Sequence, residues 1–228
     1  MIVAVFAAGA VLAGGYVYWR YVWFFRNPER VAPVEAGLVS PADGTVVYVR
    51  KVEPGEDVVV IKQGVRATVK DIAREDDGQP KLVIGIFMSP FDVHYNRAPL
   101  DATIDFIRRY PATGENVHMG EMHWRTLLNV APRYANSTHI VQNERAVTRF
   151  VGQYDGNVFP FYVVQIGART VNGIDSFYPA GSRVERGASF GMIRIGSQVD
   201  LIVPWRDSLE PLVQPGDTVR AGETVIVQ

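Results

Sequence analysis

The segment FGMIRIGSQVDLIVP, which runs from Phe190 to Pro204, is the most informative part of the sequence for the fold. It predicts two buried β-strands, because apolar residues dominate both halves, and the polar pair Gly196-Ser197 lies between them. A glycine inside a strand pattern usually marks a bend, a bulge or a close approach of two backbones. Taken alone, the pair therefore indicates a structural kink, and a chemical role needs further evidence.

The chain around this stretch predicts a mainly β domain, a β-rich α+β fold. Beyond about residue 38, short β-prone runs alternate with Gly, Pro, Asn and Asp. The predicted strands are GTVVYVRKV (44–52), DVVVIK (57–62), RATVKDI (66–72), KLVIGIFM (81–88), DATIDFIRR (101–109), FYVVQIGA (161–168) and SFGMIRIG (189–196).

The C-terminal segment suggests how the sheets fold over. PLVQPGDTVRAGETVIVQ (211–228) has two strand-like halves and resembles the folded-over antiparallel sheets of biotinyl and lipoyl carrier domains. Such a carrier presents a modifiable lysine in a hairpin turn, whereas this chain has no lysine after Lys81. A non-enzymatic, lipoyl-like binding module is therefore the weaker alternative, supported by architecture alone.

The N-terminal segment predicts a membrane helix. Ile2 through Trp19 contains eighteen residues without a charge, about 27 Å of helix at 1.5 Å per residue. Arginines and aromatic residues follow this run rather than precede it, which disfavours a cleaved signal peptide and suits a membrane interface. We therefore predict an uncleaved anchor in the cell membrane, with the rest of the chain on the cytoplasmic side. A hairpin or an interfacial helix is the weaker alternative.

These patterns divide the chain into a membrane anchor helix at 1–25, a linker at 26–37 and a β domain at 38–228.

The composition excludes several classes of function. The 228 residues carry a formal net charge of −1 without a basic block, so a nucleic-acid partner is not expected. There is no cysteine, which removes thiol chemistry and every cysteine-ligated metal site. His118, His123 and His139 show no metal-ligand spacing, and we predict no metal.

Two polar motifs stand out in the β region. SPADGTV (40–46) places Asp43 before a glycine, which is first of all a turn signal. FMSPFDVHYNRAP (87–99) is less ordinary, because it brings Asp92, His94 and Arg97 together directly after an apolar strand, between two prolines. A rigid loop that presents polar groups is a common setting for function.

Three segments, in this order and spacing, resemble the phosphatidylserine decarboxylase family, specifically its short membrane-associated branch. They are SPADGTV, FMSPFDVHYNRAP with the later NER (143–145), and FGMIRIGSQVDLIVP. The similarity covers nearly the whole chain after the anchor. It implies that residues 38–228 form a pyruvoyl-dependent decarboxylase, a lyase of phospholipid biosynthesis that converts phosphatidylserine to phosphatidylethanolamine.

The resemblance gives the Gly196-Ser197 pair a chemical role. In a self-processing precursor, the Ser197 hydroxyl attacks the carbonyl of Gly196 to form an ester, and elimination followed by hydrolysis leaves a pyruvoyl group. The zymogen thus cuts itself into a large β chain (1–196) and a small α chain (197–228), which stay together as a heterodimer. A base must take the hydroxyl proton. We predict that His94 is this base and that Asp43 orients it, with Asp92 as the competing orienting carboxylate.

Turnover uses the same centre as an electron sink. The substrate amine forms a Schiff base with the pyruvoyl ketone, CO2 leaves, and His94 is the predicted proton donor. Arg97 is predicted to orient the substrate carboxylate or phosphate, with Asp92 as a further candidate. Larger family members carry Leu-Gly-Ser-Thr where this chain has Ile195-Gly196-Ser197-Gln198, and a second histidine where it has Arg97. One histidine must therefore serve both reactions, or another group must share the work.

Two alternatives at the level of substrate stay open. A soluble pyruvoyl decarboxylase of a free amino acid would share the Gly-Ser chemistry, but it would not need an anchor. An archaeal-type ether lipid such as archaetidylserine, or another phosphoserine lipid, would satisfy the same residues as phosphatidylserine in the membrane. The sequence leaves a higher oligomer open.

Overall fold

The computed structural model describes residues 2–169, 173–194 and 196–228. The helices are α1 (Ile2–Tyr18), α2 (Val69–Ala73), α3 (Gly120–Leu127) and α4 (His139–Gln142), and a π-helical turn, Trp19–Trp23, follows α1. The strands are β1 (Leu38–Val39), β2 (Gly44–Val52), β3 (Asp57–Lys62), β4 (Val65–Thr68), β5 (Lys81–Met88), β6 (Tyr95–Arg97), β7 (Ala102–Tyr110), β8 (Arg145–Tyr154), β9 (Asn157–Gly167), β10 (Ile174–Ser176), β11 (Arg183–Val184), β12 (Ser189–Ile193), β13 (Ser197–Pro204), β14 (Thr218–Val219) and β15 (Val225–Val227).

An eight-stranded sheet dominates the fold, in the order β11-β7-β8-β9-β13-β5-β2-β14. The pairs that define it are antiparallel. Strand β13, the second half of the stretch Phe190–Pro204, lies in the middle and pairs with β9 on one side and β5 on the other. Smaller sheets, β10-β12-β6, β1-β15 and β3-β4, flank it. The predicted mainly β, antiparallel fold is confirmed, and the likeness to carrier domains stays a prediction.

Both faces of the large sheet are buried, which explains the uninterrupted apolar run of β5. Successive side chains of a strand point to opposite faces. Met88 accordingly belongs to one hydrophobic core, with Ile86 and Leu201. Phe87 belongs to a second core, with Ile202. The strand is buried at all of its positions, so neighbouring residues of β5 face different halves of the domain.

One predicted strand is half wrong. RATVKDI (66–72) is a strand only as far as Thr68, and the chain then forms helix α2. The cause is a capping box: the Thr68 hydroxyl accepts the backbone N–H of Asp71, and the Asp71 carboxylate accepts the backbone N–H of Thr68. These reciprocal bonds satisfy donors of the first helical turn, and they outweigh the β preference of the local residues.

The N-terminal helix differs from the predicted anchor. The α-helix has 17 residues and ends at Tyr18, where the hydrogen bonding changes to the π-helical turn. Within residues 2–169, 173–194 and 196–228, no helix combines the length and the apolar character needed to cross a bilayer. The spanning helix predicted over Ile2 through Trp19 is therefore not found. Most side chains of α1 are nevertheless apolar and exposed, including Phe6 and Leu12, each 75% exposed.

Candidate active site

The Gly196-Ser197 bond lies at the entrance of the central strand. Ser197 is the first residue of β13, it is fully buried, and it pairs with Met88 on β5 and Gly167 on β9. Gly196 has a φ of +66°, in the left-handed region that side chains disfavour. The glycine thus makes the sharp entry into the strand, and the hydroxyl follows it directly. Ile195, which precedes the pair, lies outside the described residues.

The carbonyl of Gly196 and the hydroxyl of Ser197 both have partners. The backbone N–H of Ala168 donates to the Gly196 carbonyl oxygen at 3.1 Å. The Ser197 Oγ donates to the Met88 Sδ at 3.2 Å. A thioether is a weak acceptor, so the hydroxyl proton is only lightly held. An N–H aimed at the carbonyl oxygen can stabilise negative charge that develops there.

His94 is held as a neutral imidazole. Its Nδ1 lies 3.0 Å from the backbone oxygen of Asp92. Because a carbonyl only accepts, Nδ1 carries the proton and Nε2 carries the free lone pair. This Nε2 is buried and makes no hydrogen bond to the residues that the structure describes. Burial lowers the pKa of His94 to about 4, against the opposing effect of the Asp92 carbonyl. The unprotonated Nε2 of His94 can therefore accept a proton. Within the described residues, no hydrogen bond joins His94 to Ser197.

A tight turn and the N-terminal segment position His94. The backbone N–H of Ser89 donates to the Asp92 carboxylate at 2.7 Å, and this bond closes the loop ahead of the histidine. Burial raises the pKa of that carboxyl group. The ring of Phe24, itself fully buried, packs on the imidazole with 4.3 Å between centroids. Asp92 therefore orients His94 through its backbone carbonyl, whereas its carboxylate holds the turn.

Asp43 makes other contacts than those expected. Its carboxylate accepts hydrogen bonds from both terminal nitrogens of the Arg30 guanidinium and, at 2.7 Å, from the backbone N–H of Ala221. Among the described residues it makes no hydrogen bond to His94. Asp43 directly precedes Gly44, which has a φ of +147° and at which a Cβ would clash with the Phe87 carbonyl oxygen. The Asp-Gly turn thus joins the linker to the C-terminal segment, and the orienting role of Asp43 stays a prediction.

Arg97 is engaged with the linker. It donates to the backbone oxygen of Gly187 at 2.8 Å, to the Asn27 side-chain oxygen at 2.7 Å and to the Pro28 oxygen at 2.9 Å. The side chain is 7% exposed. These contacts fix residues 27 and 28 against the β domain. Its predicted role toward the substrate stays a prediction.

The Asn-Glu-Arg segment, residues 143–145, holds the elements around Ser197 in place through side-chain hydrogen bonds to the backbone. The Asn143 side chain donates to the backbone oxygens of Val117 and Gly167, at 2.9 and 2.7 Å, and accepts the N–H of Val117. It therefore ties the segment before α3 to the end of β9, beside Ser197. The buried Arg145 donates to the backbone oxygens of four residues, Asp71, Ile72, Ile140 and Asn143.

A buried polar network fixes the strand after Ser197. Gln198 lies within hydrogen-bonding distance of His139, 3.0 Å from its Nε2, and donates to the Tyr48 hydroxyl at 2.8 Å. Tyr48 in turn donates to Asp200 at 2.6 Å. Burial lowers the pKa of His139 to about 4 and raises the pKa of Asp200 to about 6. Gln198 is thereby anchored on the face of β13 opposite to the Ser197 side chain.

An apolar cavity of about 250 Å³ adjoins Gly196. Its lining residues are Phe87, Pro90, His118, Met119, Gly120, His123, Ala168 and Gly196. Sequence patterns did not group His118 and His123 with Gly196, because only the fold brings α3 to the ends of β5 and β9. In the described part of the chain, no three His, Asp or Glu side chains are grouped as metal ligands.

Comparisons with known proteins place these features in a family. A model of the phosphatidylserine decarboxylase family matches residues 17–227. The phosphatidylserine decarboxylase proenzyme of Symbiobacterium thermophilum is 35% identical over 224 residues, 96% of this chain and 83% of that protein. That of Paramagnetospirillum magneticum is 34% identical over 236 residues, 98% and 82% of the two chains. A putative archaetidylserine decarboxylase proenzyme of Methanopyrus kandleri is 35% identical over 208 residues, 90% and 80%.

The chain belongs to the phosphatidylserine decarboxylase family, a family of lyases. This confirms the resemblance carried by the three sequence segments. The individual roles of Ser197, His94, Asp43, Asp92 and Arg97 are not fixed by membership.

Proposed function

We propose that the chain is a proenzyme that cuts itself between Gly196 and Ser197 and then decarboxylates phosphatidylserine to phosphatidylethanolamine. One observation carries the proposal: a buried serine hydroxyl directly follows a left-handed glycine, whose carbonyl oxygen accepts the Ala168 N–H. The names of the relatives, proenzymes of such decarboxylases, support the same activity.

The proposed self-cleavage uses the Ser197 hydroxyl, the His94 imidazole and the backbone N–H of Ala168. The Ser197 Oγ attacks the Gly196 carbonyl carbon, its proton passes to the free Nε2 of His94, and the Ala168 N–H stabilises the oxyanion. The C–N bond breaks to give an ester. Loss of the Ser197 α-proton then breaks the C–O bond, releases the Gly196 carboxylate and leaves a dehydroalanine. Hydrolysis of its imine tautomer releases ammonia and leaves a pyruvoyl group.

The residues around Ser197 fit a pyruvoyl group. The group supplies a carbonyl that withdraws electrons from the bound substrate. The cavity beside Gly196 gives a lipid headgroup access to the new chain end, and its apolar walls favour loss of the carboxylate charge. The small chain stays in place after the cut, because β13 pairs with strands of the large chain on both sides. The product is therefore a heterodimer of 1–196 and 197–228.

Archaetidylserine is the second candidate substrate, because a relative of similar identity bears that name. Both lipids present the same phosphoserine headgroup, so the same cavity would accept either. Vesicles that contain the ester lipid or the ether lipid, assayed for CO2 release side by side, distinguish them. Equal rates would indicate that the headgroup alone is recognised.

The experiment that tests self-cleavage compares wild type with Ser197→Ala. Wild type is expected to run as two chains, 1–196 and 197–228, and the smaller has 228 − 196 = 32 residues. Its N-terminus is a ketone without an amine, so Edman sequencing should fail on it, and phenylhydrazine should label it and abolish activity. Ser197→Ala lacks the attacking hydroxyl and should stay as one inactive chain.

Ser189→Ala is the matched control, because Ser189 begins the neighbouring strand β12 and takes no part in the proposed chemistry. It is expected to be cut like wild type. A wild-type chain that decarboxylates phosphatidylserine while uncut would contradict the mechanism.

We further propose that the enzyme associates with the cell membrane through α1, with the β domain on the cytoplasmic side. The support is the exposed apolar surface of α1, since a surface of this kind marks a protein or membrane contact. Arg20 and Arg26 follow the helix, as expected at a cytoplasmic boundary. Membrane fractions washed in high salt are expected to retain the protein, and detergent is expected to release it. Release by salt alone would contradict the proposal.

A further inference from the structure

The two faces of strand β5 separate the groups around Ser197. Met88 and Phe87 are neighbours, so their side chains point to opposite faces of the sheet. The Met88 sulfur holds the Ser197 hydroxyl. Phe87 instead lines the 250 Å³ cavity, together with Gly196. The hydroxyl that acts in self-cleavage therefore lies on one face, and the cavity that admits the substrate opens on the other.

His123 lies on the cavity face. It belongs to helix α3, it is half-buried, and its ring packs edge-on against Phe87 with 6.1 Å between centroids. Asn143 clamps the chain just before α3 to Gly167, so the helix is held against the strand end that pairs with Ser197. No side-chain hydrogen bond engages the imidazole within the described residues, and it is free to meet a ligand.

The groups available as proton donors are few. Among the lining residues of this cavity, His118 and His123 are the two that carry an imidazole, a side chain that can donate an N–H proton. His118 is exposed on the loop ahead of α3. His123 instead lies within α3 and packs against Phe87, the residue next to Met88. His94 is poorly suited to donate, because its only proton lies on Nδ1 against the Asp92 carbonyl.

We propose that His123 is the catalytic acid of turnover, the group that delivers a proton to the substrate after CO2 has left. The inference rests on the proposed function and deepens it. The bond between the substrate α-carbon and its carboxylate breaks, CO2 departs, and the electron pair stays with the substrate. The imidazolium of His123 gives its N–H proton to the α-carbon and is re-protonated by water. One proton is consumed for each CO2 released, and no oxidant or reductant is needed.

The proposal separates the two reactions of the site. His94 acts in self-cleavage, on the face of the sheet where Met88 holds the Ser197 hydroxyl. His123 acts in turnover, on the opposite face, where Phe87 lines the cavity. A single histidine in the loop after β5 is then sufficient, because the second one comes from α3. The cavity walls exclude water from the carboxylate, whereas the half-exposed ring of His123 can exchange its proton with solvent.

The test compares His123→Gln with Arg125→Gln, a second substitution in α3, in the full chain. His123→Gln is expected to be cut as wild type is and to react fully with phenylhydrazine. Its kcat on phosphatidylserine vesicles should fall on the order of 100-fold with little change in KM, the usual effect of losing a general acid. Arg125→Gln, the matched control, changes a residue of the same helix that does not line the cavity, and it should stay within about threefold of wild type. His123→Phe keeps a ring against Phe87 without a proton, and it should reproduce His123→Gln if the latter is unstable.

A binding readout is independent of the cut. In the uncut Ser197→Ala chain, labelled with 15N-histidine, glycerophosphoserine should shift the imidazole resonances of His123 and leave those of the buried His139 in place. The chain has four histidines, so single variants assign them. Wild-type kcat in His123→Gln, or loss of the cut in both His123 variants, would overturn the proposal, as would unmoved His123 resonances. An uncut or inactive wild type would instead refute the proposed function, and the resonances would still test the cavity.

Discussion

Replacing Phe24 by Ala should make self-cleavage sensitive to mild acid. Burial is the main reason that the pKa of His94 is about 4, and the Phe24 ring lies directly on the imidazole. The charges that act on His94 oppose each other, since Arg26 lowers its pKa and Asp43 raises it. Once water replaces the ring, the pKa should rise toward the ordinary value of about 6.5.

The size of the effect follows from the neutral fraction of His94. At pH 5.5, a group of pKa about 4 is ~97% neutral, whereas a group of pKa about 6.5 is only ~9% neutral. Cleavage of wild type should therefore change little between pH 8 and 5.5, and cleavage of Phe24→Ala should slow by up to about tenfold over the same range. The substitution also empties a core position, which costs about 3–5 kcal/mol of folding free energy.

The assay starts from uncut precursor made by cell-free translation in detergent. The precursor is diluted into buffers from pH 4.5 to 8.5, and the cut fraction is followed on gels, with circular dichroism at each pH to verify folding. Phe24→Leu keeps an apolar cover and should keep the flat profile. Phe25→Ala removes a neighbouring ring that is only half-buried, and it should do the same. A wild-type midpoint near 6.5, or a flat profile in folded Phe24→Ala, would refute the reasoning.

Two further predictions concern stability, both measured by urea unfolding of the uncut Ser197→Ala chain in detergent. The lowered pKa of His139, about 4, means that its contribution is present above the unfolded value of 6.5 and is lost as the pH falls toward 4. The free energy of unfolding should therefore fall by about 2 kcal/mol less between pH 7 and pH 5 in His139→Gln than in the parent chain. An equal fall in both chains would contradict a neutral, buried His139 ring. Asp200 acts in the opposite direction over this range, because its pKa is raised to about 6. Asp43→Ala leaves the Arg30 guanidinium buried and unpaired, which should cost about 3–5 kcal/mol. The added change Arg30→Met should restore part of that loss, and no recovery would show that Asp43 acts elsewhere.

Several strands were predictable because their signals are local, whereas β8 was not among the predicted strands. Alternation and β-branched runs identified β2, β3, β5 and β7 closely, and the apolar halves of Phe190–Pro204 became β12 and β13. Helix α2 was missed because a reciprocal cap at Thr68 outweighs the β propensity of the run. A cap of this kind is visible in the sequence only as a threonine with an aspartate three residues later.

The site was predictable in its parts and not in its connections. The Gly196-Ser197 pair and His94 stand out by residue type, and they carry the family resemblance. The partners of Asp43 and Arg97 lie outside their motifs, Arg30 at 13 residues from Asp43 and Asn27 at 70 residues from Arg97, so the motifs did not predict these contacts. His123 was not predicted as a site residue, because its position in the same cavity as Gly196 depends on how α3 packs.

The N-terminal segment packs against the loop that holds His94. Trp19 packs near Phe91 in the loop that holds His94, with 6.2 Å between centroids. Arg26 donates to the Phe91 carbonyl, and Phe24 covers the imidazole itself. A chain shortened by 25 residues would lose this cover together with the exposed helix. The residues that follow the apolar helix thus belong to the surroundings of His94, because the burial that lowers its pKa includes the Phe24 ring. If His94 is the base of the proposed self-cleavage, such a truncation should impair the cut.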